Sequence, residues 1–89
     1  MWLSSFDACV FNHESGEPNP PYRESTIDWH IVDPPYAGAA QWDASTWAAA
    51  GGLRYGSASS ASPEDQTRVF QYWEAKDPGA WPLSVPACE

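Results

Sequence analysis

Along the first fifteen residues Leu3, Phe6, Cys9, Val10 and His13 recur at spacings of three and four, the period of one helix face, and predict a helix over 3–15. Ser15-Gly16 ends it, glycine being the usual residue just past a helix terminus. The next stretch, 17–40 (EPNPPYRESTIDWHIVDPPYAGAA), carries five prolines and cannot continue as helix. Its β-branched and aromatic run TIDWHIV is one arm of a candidate hairpin, with YAGAAQW as the other. A second helix is expected from a cap at Asp43 or Ser45, through Thr46, Trp47 and three alanines, to a stop at Gly51-Gly52. Residues 53–61 read as loop. The third helix is the best signalled: Ser62 as cap, Pro63 at the first helical position, Asp65 three residues after the cap, then Val69, Phe70 and Trp73 on one face until Pro78-Gly79. The tail WPLSVPACE, with two prolines, is expected to be extended and laid back over the body. No repeat or internal boundary interrupts the pattern. It predicts one α+β, mainly α, domain over 1–89, with about three helices and a short hairpin or irregular region.

At 89 residues only about 60–65% of the unfolded chain's surface can be buried, so a covalent staple matters. Cys9 and Cys88 lie near opposite ends, and a bridge between them would close a loop of 79 residues. The chain-entropy account gives such a closure about 4–5 kcal/mol as an upper figure, and it would imply an oxidising compartment. The other reading is two buried free thiols. Neither this spacing nor the separated His13 and His30 makes a zinc site, and no metal is expected.

Twelve acidic against four basic side chains give a net charge of −8, which argues against nucleic acid and anionic lipid as partners. No run of about 18 apolar residues spans a membrane. Met1-Trp2-Leu3 lacks the basic start and apolar run of a signal peptide, so export would use another route or the sequence would belong to a longer protein. Six tryptophans and 15% aromatic residues exclude a solvated tail and bring in another possibility, since rings stack on sugars as well as they fill cores.

Glu14 falls in the last turn of the first predicted helix. A carboxyl at that end meets the negative pole of the helix dipole, which favours the neutral acid. A neutral acid is what cleavage of a glycosidic bond needs, because the leaving oxygen must receive a proton. On position alone, a solvated surface glutamate is the commoner outcome. Ser15 has no Gly-x-Ser-x-Gly elbow to make it a nucleophile. Trp47, Phe70 and Trp73 read as core, and Trp42, Trp81 and Tyr55 as either core or cleft.

CVFNHESG, then GAAQWDASTWAAAGGLRY, then GAWP and a closing cysteine together resemble the small lysozyme-like domain of the resuscitation-promoting factors of actinobacteria and related transglycosylase-like proteins. The likeness covers almost the whole chain in the right order. It implies a small lysozyme-like fold with one disulfide, Cys9 to Cys88, and places Glu14 where the family carries its catalytic acid. Gln41, Thr46 and Trp47 fall on the family's cleft motif, Asp43 on a position that varies between an acid and serine, and Tyr55 and Trp81 on aromatic positions near cleft or core. The implied substrate-binding set is Gln41, Asp43, Thr46, Tyr55 and Trp81. The chain departs from compact members in having His13 rather than cysteine before the acid, and in a longer, proline-rich 17–36 segment.

The resemblance implies cleavage of the peptidoglycan glycan strand at the MurNAc-GlcNAc β-1,4 bond, as a lytic transglycosylase or muramidase. In the transglycosylase form Glu14 works alone as acid and then base; in the hydrolytic form a second carboxylate among Asp28, Asp33 and Asp43 takes part. No cofactor is expected. The expected partners are peptidoglycan strands, with flanking domains or other cell-wall hydrolases alongside a monomeric domain, acting in the cell wall after secretion or from a phage. The alternative is a catalytically inactive sugar-binding or structural interaction module on the same scaffold.

Overall fold

A computed structural model describes residues 3–89 of the chain. Met1-Trp2, on which the signal-peptide expectation partly rests, lies outside the described residues. Helix α1 runs over Ser5–Ser15, and its cap is Ser4, whose hydroxyl accepts the Asp7 backbone N–H at 3.0 Å. The periodicity predicts one buried face, but residues 7 to 12 are all buried, so α1 is a central helix wrapped on every side. Its two buried polar members are satisfied inside. The Asp7 carboxylate accepts the Gln71 amide at 2.6 Å, and Asn12 donates to the carbonyls of Ala8 at 2.8 Å and Arg23 at 3.1 Å. Gly16 ends the helix, but not in a left-handed conformation: its φ is −137°. Glycine is needed there for space, because a Cβ would lie 2.5 Å from both Asn12 Oδ1 and the Thr26 carbonyl oxygen.

The proline-rich stretch forms a three-stranded antiparallel sheet of two-residue strands: β1 (Val32–Asp33), β2 (Tyr36–Ala37) and β3 (Trp42–Asp43). Tyr36 pairs with Asp33 on one side and Asp43 on the other. The hairpin is therefore shorter than its predicted arms, and the second arm folds back on itself. Pro34-Pro35 at the first turn has no N–H to extend a ladder, and the first arm's Ile27 and Trp29 go into the core instead, preceded by a 3-10 turn over Glu24–Thr26.

Helix α2 (Ala44–Ala49) is capped by Asp43, which accepts the Thr46 N–H at 3.1 Å, and is followed by a 3-10 turn (Gly52–Tyr55) where loop is predicted. Gly52 lies against the face of the Trp47 indole, where a Cβ would collide with the ring atoms. Helix α3 (Pro63–Lys76) follows its predicted signals, with Ser62 as cap and Pro63 first. The tail departs from expectation: Ser84–Cys88 is a short helix, α4, packed on α1. Pro86 is its third residue, within the first turn, where backbone N–H groups have no partner in the helix anyway.

The core is a chain of rings in contact. Trp29 meets Phe11 at 5.3 Å between centroids, Phe11 meets Phe70 at 4.8 Å, Phe70 meets Trp81 at 4.7 Å, Trp81 meets Trp42 at 5.2 Å, and Trp42 meets Trp47 at 5.4 Å. Cys9 and Cys88 are bonded, tying α4 to α1 across 79 residues. Among the described residues no helix is long and apolar enough to cross a membrane.

Candidate functional site

The C-terminal turn of α1 presents Glu14 at one end of a groove. There Glu14, Asp33, Tyr36, Gln41, Trp81 and Leu83 line a recess of about 410 Å³. A second recess, of about 300 Å³, shares Tyr36, Gln41, Ala80 and Trp81 with the first and continues to Trp42, Asp43, Thr46, Trp73 and Asp77. The two are one groove, with four carboxylates and no basic side chain in its lining. That composition disfavours phosphorylated ligands and suits a neutral polyol chain.

The end of α1 is held by two side chains. Ser15 Oγ donates to the Ala39 carbonyl at 2.8 Å, fixing the helix terminus to the link between β2 and β3. Ser84 Oγ, from α4, donates to Glu14 Oε2. Ser84 is buried whereas Glu14 is half-buried, so one carboxylate oxygen is engaged from within. His13, the neighbour of Glu14, faces away toward Tyr22, with Nε2 3.4 Å from the phenol oxygen.

Gln41 is the one non-glycine residue with positive φ among those described, at 55°. A side chain held in that region costs about 1–3 kcal/mol and is found where a loop must aim a group. Trp81 forms groove floor and core at once: only 5% exposed, it donates from Nε1 to the Ala40 carbonyl at 2.9 Å. Asp43 both caps α2 and lines the groove. Its carboxyl is held below the usual carboxylate range, first by the Thr46 hydroxyl and then by the Thr46 backbone N–H.

The fold thus brings together Glu14, Gln41, Asp43, Thr46 and Trp81 from three separate stretches of chain. Tyr55 is not with them: it lines a separate recess of about 340 Å³ with Arg54, Arg68 and Tyr72. Of the hydrolytic candidates, Asp33 shares the recess of Glu14 and Asp43 the adjoining one, while Asp28 lines neither. Cys9, His13 and Cys88 are grouped within 4.8 Å at their ligand atoms, but both sulfurs are engaged in the disulfide.

Two residues at the site escape the sequence pattern. Ser84 lies in a tail read as extended, 70 residues from its partner, and no local signal in the tail announces the contact. Trp73 sits at core spacing on α3, yet lines the groove and is only partly buried.

The sequence model of the family described as "Transglycosylase-like domain" matches residues 21–84. The matched span includes Gln41, Asp43, Thr46, Tyr55, Trp81 and Ser84; α1, with Glu14, precedes it. No curated protein matches the chain.

Proposed function

From a chain that belongs to the transglycosylase-like domain family, we propose a lytic transglycosylase that cleaves the glycan strand of peptidoglycan with Glu14 as its acid and base. Membership supports the peptidoglycan-lytic transglycosylase kind of function, and with it action outside the cell or in the wall. The specific role of Glu14 rests on one observation: its carboxyl stands in a sugar-sized groove with one oxygen engaged by Ser84.

With Oε2 occupied by the serine hydroxyl, Oε1 is the oxygen available to hold the proton. It gives that proton to the bridging oxygen as the bond between MurNAc and GlcNAc breaks, and positive charge develops at the anomeric carbon. The substrate's N-acetyl carbonyl shares that charge. The carboxylate then takes the proton of the muramic 6-hydroxyl as its oxygen bonds to the anomeric carbon, leaving a 1,6-anhydro end. One glutamate returns to its starting state without a second catalytic carboxylate. Trp81 and the half-exposed Tyr36 offer ring surface for the sugars, and Gln41 and Thr46 offer polar groups to their hydroxyls.

Asp33 supports a second reading, because it shares the recess of Glu14 and could activate water there. Mass spectrometry of peptidoglycan digested with the protein and with Glu14→Gln separates the two. Anhydro ends that vanish in the variant are expected; reducing ends would transfer the chemistry to hydrolysis and to Asp33. Uncut glycan with the unaltered protein would leave a binding module.

A further inference from the structure

Cys9 and His13 stand one helical turn apart on α1 and so project on the same side of it. Helix α4 packs against α1 and brings Cys88 to the same place. The two sulfurs and a nitrogen of His13 all lie within 4.8 Å of one another. Among the described residues, no other set of three histidine, cysteine or carboxylate side chains gathers its ligand atoms so closely. Chain spacing gives no hint of the group, because its third member arrives from the far end of the sequence.

With the sulfurs bonded to each other, neither can hold a metal. In the thiol state the same three side chains are a donor set. Two thiolates and one neutral imidazole suit a divalent ion of the softness of Zn²⁺, with water as the fourth ligand. Bonds of about 2.3 Å to sulfur and about 2.0–2.1 Å to nitrogen in a tetrahedral site put neighbouring ligand atoms about 3.5–3.8 Å apart. The cysteine Cα atoms are 5.9 Å apart, so the sulfurs reach that separation by turning about their own side-chain bonds. The two thiolates neutralise the ion, as a site containing the buried Cys9 requires. His13 and Cys88 are half-buried and give the ion its way in. Tyr22 holds the imidazole from outside, its phenol oxygen 3.4 Å from Nε2 and its ring centroid 5.6 Å from that of His13.

We propose that the reduced protein binds one Zn²⁺-like ion through Cys9, His13 and Cys88, and that the ion replaces the disulfide as the tie between α1 and α4. A phosphine reductant opens the state by giving two electrons to the S–S bond. Water supplies the two thiol protons and the oxygen of the phosphine oxide. The ion then displaces both thiol protons as it binds. Re-forming the bond takes both sulfurs away and releases the ion. A chain whose disulfide has not yet formed is thus tied at the point where Ser84 meets Glu14. The inference is independent of the sugar-cleaving reading, since no residue of the groove takes part in it.

The test is a titration of the full chain with Co²⁺, a spectroscopic stand-in for Zn²⁺, with and without phosphine. Reduced protein is expected to show thiolate-to-cobalt charge transfer in the near ultraviolet and the visible bands of a tetrahedral ion, saturating at one ion per chain. Oxidised protein should show neither. His13→Ala should weaken cobalt binding more than about a hundredfold, since even the outer partners of metal ligands are worth about 10–100-fold. His30→Ala, whose native ring bonds the Ser59 carbonyl instead, should bind as the parent does. By circular dichroism, Zn²⁺ should raise the thermal midpoint of the reduced protein and leave that of the oxidised protein in place. Absence of the charge-transfer band, equal affinity in His13→Ala, or the same cobalt spectrum in urea that unfolds the chain would overturn the site. Should reduction alone unfold the protein, Zn²⁺ is expected to restore the helical dichroism, and failure to do so would overturn the site equally.

Discussion

At Ser84 a single hydroxyl decides how the proposed acid is presented. Removing it leaves Glu14 Oε2 without its partner, and a hydrogen bond to an ionisable group is worth about 1.5–3 kcal/mol. Ser84→Ala should therefore lower the turnover of peptidoglycan by about ten- to a hundredfold, with Ser84→Thr restoring part of it. An unchanged turnover would reduce Ser84 to packing. Gln41 poses the opposite trade. Its positive φ is a conformation that glycine adopts freely, so Gln41→Gly should unfold at the same or a higher denaturant midpoint while losing activity. A clear fall in midpoint would mean that the side chain serves the fold rather than the groove.

Among the elements, α2 depends on its first and last contacts. The Asp43 carboxyl is held below the usual carboxylate range by Thr46. A carboxyl whose folded value is depressed contributes stability that is present above its unfolded value, about 3.9, and is lost as pH falls through the folded value. Asp43→Asn keeps a capping oxygen that does not titrate. Its unfolding free energy should fall less steeply than that of the parent below about pH 4, and parallel acid limbs would refute the assignment. At the other end Gly52→Ala would push a methyl group into the Trp47 ring and disturb the Trp47–Trp42–Trp81 series beneath the groove. A loss of about 1–3 kcal/mol in urea unfolding is expected. The cap, at Asp43 or Ser45, and the stop at Gly51-Gly52 could be anticipated, because such signals act over a few residues, whereas the contact of Gly52 with the Trp47 ring could not. Helix α4 could not be read the same way: the two prolines of the tail, Pro82 and Pro86, point to extended chain, and only packing on α1 shows that a proline in a first turn costs little.

For the molecule as a whole, the Cys9–Cys88 bond joins the helix that carries Glu14 to the helix that carries Ser84. Reduction, or Cys9→Ser with Cys88→Ser, should destabilise the fold by about 2–5 kcal/mol, seen as a lower thermal midpoint. Activity should fall at temperatures where circular dichroism still reports folded protein, because the same tie holds the Ser84 hydroxyl against the carboxylate. Loss of activity only in step with unfolding would show that the bond is a staple and nothing more.

The parts of this protein legible in its residues are those governed by neighbours in sequence: the caps at Asp43 and Ser62, the proline that opens α3, and the break after Ser15. These depend on hydrogen bonds and backbone preferences within one turn. Periodicity also marked Trp47 and Phe70 as core, since spacing reports which side of a helix is apolar. Spacing does not report what that side faces, and so Trp73 was indistinguishable from its core neighbours. Whether an indole N–H is satisfied depends on where a distant carbonyl lands: Gly56 for Trp47, Ala40 for Trp81, none for Trp42 and Trp73. The pairing of Glu14 with Ser84, the separation of Tyr55 from the groove and the meeting of Gln41, Trp73 and Trp81 at one recess share that cause. Each is a meeting, or a failure to meet, between segments far apart in the chain, and only packing of the ring core brings such segments to their final positions.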